Sequence, residues 1–272
     1  MIVGLGGGKG LTSLLLALKH RNIEFGAVVE TTDSGGSTGR LRQMYNVPAM
    51  GDIRRVVDHL SESELGKALE KRVDGHAVGN LVLLQLMRED GFGEAVRKYR
   101  EFLGVKSRIE PLFMEACDLV ARTSSGIVFG EEAIDEHSGI SEMWIEPEVE
   151  ANPDAVELVE SADAVVLGPG SIFTSVMPHL LAGEMRNAVR RAPLIVYVAG
   201  ISNDLKSTEN FRLSDYLRAL EQVGGIKPDR VVAQDPPRGI EIDSECIRAD
   251  VAKDDHFHDP EKLGEVLWKL LH

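Results

Sequence analysis

The sequence predicts an α/β fold built on a mainly parallel sheet, and three observations carry that prediction. Apolar, β-branched runs at Ile2–Leu5, Ala27–Thr32 and Ala164–Leu167 read as buried strands. Each run ends in a glycine-rich turn, and the first and third of those turns also open a helix. Strand, glycine turn, helix and strand is the opening of a mononucleotide-binding unit. In parallel sheets such turns gather at the carboxyl edge, where ligands bind.

Bulk properties narrow the function classes. A chain of 272 residues allows one large α/β domain or two small ones, and either can bury a real core. A net charge of −14 argues against a nucleic-acid surface, which needs a basic footprint. It also requires that any anionic ligand be held by local donors, because the global field repels it. Cys117 and Cys246 belong to no CxxC pair, so neither a disulfide framework nor a zinc site is expected. No basic n-region precedes an apolar core of signal length, and no apolar run is long enough to span a bilayer. The expected compartment is the cytoplasm, and a homodimer is the default assembly.

The first strand breaks into Gly4-Leu5-Gly6-Gly7-Gly8-Lys9-Gly10, and Thr12–Lys19 reads as a helix with Leu14, Leu15 and Leu18 on one side. A helix N-terminus offers free N–H groups and partial positive charge, which suits phosphate, and Lys9 adds a point charge. The motif lacks the Gly-Lys-Ser/Thr ending of a P-loop and fits GxGxxG only in part. A tight connection that needs glycine for packing alone is the alternative.

The second strand leads into TTDSGGSTGRLR, Thr31–Arg42. Glycines let the backbone turn its amides toward one point, hydroxyls add donors, and two guanidiniums can clamp an oxyanion. Asp33 suggests a sugar hydroxyl or a metal. It also stands where dinucleotide folds place the acid that binds an adenosine ribose, which raises a nicotinamide-dependent oxidoreductase as a rival.

Gly51-Asp52 is a turn signal, with Asp52 as the expected N-cap of a helix and Arg54 and Arg55 behind it. Ser61-x-x-Glu64 fits a capping box. Gly75-His76-Ala77-Val78-Gly79-Asn80 introduces a strongly apolar helix, Leu81–Met87, expected to be buried, and Phe92–Leu103 reads as a further amphipathic helix. Residues 105–150 read as a β-rich insertion: a hairpin of Ala116–Thr123 and Ile127–Glu131, then a strand at Met143–Val149. The acids Glu131, Glu132, Asp135 and Glu136 are expected on a solvated face.

Asn152-Pro153-Asp154 is a helix start. The third glycine loop, Gly168-Pro169-Gly170-Ser171-Ile172-Phe173-Thr174-Ser175, follows the Ala164–Leu167 strand. Three such loops, each after an apolar strand, point to one shared site rather than three separate turns. Leu194–Val198 is a further strand that brings Ser202, Asn203 and Asp204 to the same edge. Arg230–Ala233 is a late strand, and Asp259-Pro260 caps a last helix. His256, His258 and Asp259 are expected in a polar loop before that helix rather than around a metal.

The set GLGGGKGLT, DSGGSTGRLR, GDIRR, GHAVGNLVLL and GPGSIFTSVMPHLL resembles the YvcK and CofD-like family in order and character, most strongly from Ile2 to about Leu181. That family includes gluconeogenesis factors, which bind uridine-diphosphate sugars, and the phospholactate transferase of deazaflavin cofactor synthesis. The chain is more similar to the YvcK branch. It departs from it at Ser34, Arg55, Ala77 and His179, where the branch has an acid, Asn, Ser and Asn. The resemblance implies a Rossmann-like three-layer fold and a nucleotide-diphosphate ligand lying across the three loops. By motif it assigns Gly7, Gly8 and Gly10 to the first phosphate loop and Asp33, Gly36, Ser37 and Arg40 to the second. Asp52, His76, Asn80, Gly170, Ser171 and Thr174 match the remaining motif positions.

Two functions follow from the resemblance. One is a nucleotide-sugar-binding regulator with little or no catalysis. The other is a transferase acting on a guanosine diphosphate conjugate, with Mg²⁺ near Asp33 offsetting charge on the leaving phosphate and Asp52 or His76 as base. No tightly bound organic cofactor is expected.

Overall fold

The computed structural model describes residues 1–203 and 205–271; Asp204 lies outside the described residues. Its strands are β1 (Ile2–Gly6), β2 (Phe25–Val29), β3 (Arg72–Val73), β4 (His76–Ala77), β5 (Ile109–Pro111), β6 (Asp118–Thr123), β7 (Gly126–Phe129), β8 (Glu142–Glu146), β9 (Ala164–Leu167), β10 (Ile195–Val198), β11 (Arg230–Gln234) and β12 (Ile247–Ala249). The helices are α1 (Gly8–His20), α2 (Gly36–Tyr45), α3 (Gly51–Ser61), α4 (Glu64–Leu69), α5 (Val78–Asp90), α6 (Phe92–Phe102), α7 (Glu131–Asp135), α8 (Pro153–Glu160), α9 (Met177–Leu181), α10 (Gly183–Arg191), α11 (Leu213–Gln222) and α12 (Pro260–Leu271). A π-helical turn at Ile172–Val176 precedes α9.

Seven strands form one parallel sheet in the order β12–β11–β10–β9–β1–β2–β5. Counted along the chain from the β5 edge, these seven strands read 3-2-1-4-5-6-7. This is the doubly wound order, and it reverses direction between β1 and β9, where such sheets open a crevice. The central strands β1, β2 and β9 are short and buried on both sides, as their continuous apolar runs require.

Alternation along each strand divides the core in two. Ile2, Ala27, Val29, Val166 and Val198 pack with α1, α3, α5, α6 and α12. Val3, Leu5, Val28, Val165 and Leu167 pack with α8, α9, α10 and α11 and with the antiparallel sheet β7–β6–β8. Helices on both faces make the three-layer α/β fold that the sequence predicts.

Differences from the sequence reading lie at the ends and in the insertion. Residues 105–150 are divided: β5 is the edge strand of the main sheet, and only β6, β7 and β8 form the separate antiparallel sheet. Helix α3 starts at Gly51 with Asp52 in its first turn, so Asp52 is not the cap. Ser61 does not form a capping box. Ser63 caps α4 by accepting from the Gly66 amide at 3.0 Å, while the Ser61 hydroxyl donates to the Asp58 carbonyl at 2.7 Å. In α5, Leu83 and Leu84 are buried but Leu81 is exposed, because only one face of the helix meets the core. His179, the branch departure in α9, is fully buried with Nε2 3.1 Å from the Val28 carbonyl, and burial lowers its pKa to about 4. It is a neutral tie between α9 and β2.

The first and third loops touch at Gly10. A Cβ there would lie 2.1 Å from the Pro169 carbonyl oxygen and 2.8 Å from its carbon. Backbone meets backbone, so no side chain can swing away. Gly10→Ala is therefore expected to destabilise the fold by about 1–3 kcal/mol, as overpacking does, and to lower the thermal midpoint by roughly 2–10 °C. An unchanged midpoint in a calorimetric scan would contradict the close approach.

Candidate functional site

The carboxyl ends of β1, β2, β9 and β10 open on a cleft of about 730 Å³. Helix α1 begins at Gly8, which holds φ +51°, a conformation that favours glycine. Its N-cap, Gly7, has no side chain to satisfy the first-turn amides. Helix α2 repeats the device, with Gly35 as its N-cap and Asp33 Oδ1 accepting from the Gly35 amide at 2.7 Å. On the third loop the Ser171 hydroxyl accepts from the Thr174 amide and contacts Asp135 at 3.3 Å.

The cleft brings together most of the residues singled out from sequence. Gly7, Gly8, Lys9 and Gly10 line it, as do Asp33, Gly36 and Ser37, and so do Asp52, Asn80, Gly170 and Ser171. Three do not. Arg40 is exposed and donates to the Gly75 carbonyl at 2.8 Å, tying α2 to the β3–β4 turn instead of facing the cleft. Thr174 is buried behind the wall with its hydroxyl 3.4 Å from Asp135. His76 stands one layer back, with Nδ1 3.1 Å from the Ser37 hydroxyl.

One wall is a concentration of carboxyls. Glu30, just beyond β2, is 1% exposed, and its Oε2 accepts from the Thr32 amide and hydroxyl at 2.7 and 2.9 Å. Burial first, then Asp52 and Asp33, push its pKa well above the usual carboxylate range. Asp52 is also raised, by burial and then by Asp33, although Arg55 at 2.6 Å draws it back. Glu131 is pushed up to about 10 by burial, reinforced by Glu30, Asp33 and Asp52. Asp135 is raised by burial to about 6, against the Ser171 and Thr174 hydroxyls.

Glu131 and Asp135 therefore do not lie on the expected solvated face, whereas Glu132 and Glu136 are exposed. Helix α7 carries Glu131, Glu132 and Asp135 onto the cleft lining, and Glu136 lies outside it. Sequence reasoning also missed Glu30, whose one signal is a charge ending an apolar strand beside a glycine loop. It missed the loop before α12 as well: His256, Phe257 and His258 line the cleft, and Lys9 Nζ sits 4.7 Å above the Phe257 ring. Burial lowers the His258 pKa to about 4. Ser202 also reaches the cleft, whereas the Asn203 amide donates to the Phe211 carbonyl at 2.7 Å.

Beneath the second loop runs a buried polar chain. Tyr99 donates to Asp58 at 2.5 Å, and Arg54 donates to Asp58 and to Asn80 Oδ1, each at 3.2 Å. The Asn80 amide nitrogen then donates to the Ser37 hydroxyl at 3.1 Å. The four residues other than Ser37 lie on α3, α5 and α6, so the helical layer fixes the position of that hydroxyl in the cleft.

Fold and cleft together define a doubly wound α/β protein with a polar site at the topological switch point. The family model for 2-phospho-L-lactate transferase CofD matches residues 2–265, so the chain belongs to the CofD family. It is 35% identical to a putative gluconeogenesis factor of Aquifex aeolicus, covering 99% of this chain and 96% of that one. It is 30% identical to the gluconeogenesis factor of Bacillus subtilis, covering 98% and 96%. A crystal structure of a Bacillus halodurans protein, described as a member of the UPF0052 family, superposes with a TM-score of 0.91 at 26% identity and 98% coverage of both chains.

Asp135 gives the site a pH signature. The folded chain holds its proton up to about pH 6, whereas an unfolded aspartate releases it near 3.8. The contribution to stability is present below pH 3.8 and is lost as pH rises through about 6. Asp135→Asn is expected to match the parent at pH 3.5 and to exceed it by about 1–3 kcal/mol at pH 7 in urea unfolding. A variant less stable than the parent at pH 7 would contradict this.

Proposed function

We propose that the cleft binds a nucleotide-diphosphate conjugate of the UDP-sugar kind, and that the chain acts as a cytoplasmic gluconeogenesis factor. The observation that carries this reading is the convergence of uncapped first-turn amides of α1 and α2 with Gly170 and Ser171 of the third loop on one cleft. Such amides are suited to phosphate oxygens. Lys9, Arg54, Arg55 and Arg72 add positive charge around the opening. The names carried by the Aquifex aeolicus and Bacillus subtilis relatives support the biological role. Among the described residues no helix is long and apolar enough to cross a membrane.

The donor set also fits Mg²⁺. Asp33 and Asp52 offer hard carboxylate oxygens beside the phosphate loops, and that ion usually takes one or two carboxylates together with substrate phosphates. Among the described residues no three ligating side chains surround one point, so phosphate would complete the coordination. The ion would supply charge neutralisation between diphosphate and carboxyls. Asp33 would hold it, and Asp52 would do so on giving up its pairing with Arg55.

A second reading is a transferase acting on a guanosine diphosphate conjugate. It draws on the transferase family model, which spans nearly the whole chain, and on the His76–Ser37 contact at the cleft. Thermal-shift measurements with UDP-N-acetylglucosamine, UDP, GDP, GMP and NADH, with and without Mg²⁺, separate the readings. A ligand at about 100 times its dissociation constant adds roughly 2.7 kcal/mol. We expect a shift with uridine diphosphates that weakens without Mg²⁺ and in Asp33→Asn. A Mg²⁺-dependent shift with GDP alone would favour the transferase, and a shift with NADH alone would overturn both.

A further inference from the structure

The buried polar chain fixes the direction of its hydrogen bonds as far as the Ser37 hydroxyl. Arginine can only donate. Arg54 Nε donates to Asn80 Oδ1 at 3.2 Å, so the other end of that amide, Nδ2, must be the group facing Ser37, and it donates to the hydroxyl at 3.1 Å. Arg54 cannot turn away, because its Nη1 is held by Asp58, which also accepts from Tyr99. Asn80, Arg54 and Asp58 are each no more than 5% exposed, so no solvent competes with the arrangement. The Ser37 oxygen is thus already an acceptor toward Asn80, which leaves its one hydrogen available to the remaining partner, His76 Nδ1, 3.1 Å away. That nitrogen accepts only if the ring carries its hydrogen on Nε2. Ser37 lies in the first turn of α2, where N–H groups have no intrahelical acceptor, and it lines the cleft.

We propose that Ser37 is a nucleophile activated by His76, and that it accepts a phosphoryl-type group from a nucleoside-diphosphate conjugate. The Ser37 oxygen attacks the distal phosphorus and its proton passes to His76 Nδ1. The new Ser37 O–P bond forms as the bridging P–O bond breaks, and the bond's electron pair leaves with the nucleoside monophosphate. The first-turn amides of α2 face the charge that develops on the phosphoryl oxygens. The half-reaction ends as a serine phosphodiester that keeps the conjugate's substituent, with the proton on His76. The identity of the donor rests on the nucleotide reading above, but the reactivity of the serine does not.

The test uses diisopropyl fluorophosphate, which reports an activated serine whatever the natural ligand. The full-length protein is treated at pH 8 and the adduct is located by peptide mass spectrometry. We expect one adduct, at Ser37, absent in Ser37→Ala. His76→Ala should slow its formation at least about 100-fold, as for loss of a general base, and added imidazole should restore part of the rate. Circular dichroism confirms that both variants fold. No adduct at Ser37, or an adduct formed at the same rate in His76→Ala, would overturn the proposal. Thermal shifts with UDP and GDP on the same samples keep the two readings apart. Labelling without any nucleotide shift sinks the ligand class and leaves the serine, whereas a shift without labelling does the reverse.

Discussion

The contact between Gly10 and the Pro169 carbonyl is the constraint on which the site depends. It locks the start of α1 to the loop after β9 across the point where strand order reverses. In a doubly wound sheet the crossovers on either side of that point run to opposite faces, so a crevice opens there unless something fills it. Here the two loops approach as closely as backbone permits, and the cleft opens beside them. The absence of a side chain at Gly10 is what lets the amides of α1 and the hydroxyl of Ser171 border one space.

The charge of the cleft follows from its burial. A chain of net charge −14 should repel an anion, and the wall made by Asp33, Asp52, Glu131 and Asp135, with Glu30 buried behind it, should make matters worse. Burial changes the count. Burial drives the Glu131 pKa up to about 10 and pushes Glu30 well above the usual carboxylate range, each reinforced by the other acids nearby. Asp52 is paired with Arg55, and Lys9 and Arg72 line the same opening. The site is therefore less negative than its residue list, and it is sensitive to any cation or proton that enters.

How much of this was legible in the sequence depends on range. The three glycine loops were legible because each is a local signal, an apolar run followed at once by residues that turn the backbone. Their convergence was legible because parallel strands have a fixed polarity. The acids of α7 were not, because a short acidic helix reads as solvated until the insertion that carries it is folded over the sheet. Glu30 was hidden at the end of an apolar run, and the His256–His258 loop reaches the cleft because α12 packs against α1. Arg40 misled in the opposite sense: it follows the glycine loop in sequence, but helical geometry turns it away from the cleft to the Gly75 carbonyl. His76 and Asn80 sit in one short motif, yet their relation to Ser37 is a contact between distant segments.

The central claim is that three separate loops serve one phosphate-bearing ligand. It is tested most directly by following the backbone amides in a ¹⁵N-labelled sample as UDP and Mg²⁺ are added. The account predicts that the amides of Gly8, Lys9 and Gly10, of Gly36 and Ser37, and of Gly170 and Ser171 move together and fit one dissociation constant. Shifts confined to a single loop, or fitting different constants, would show that the loops are separate turns and would contradict it.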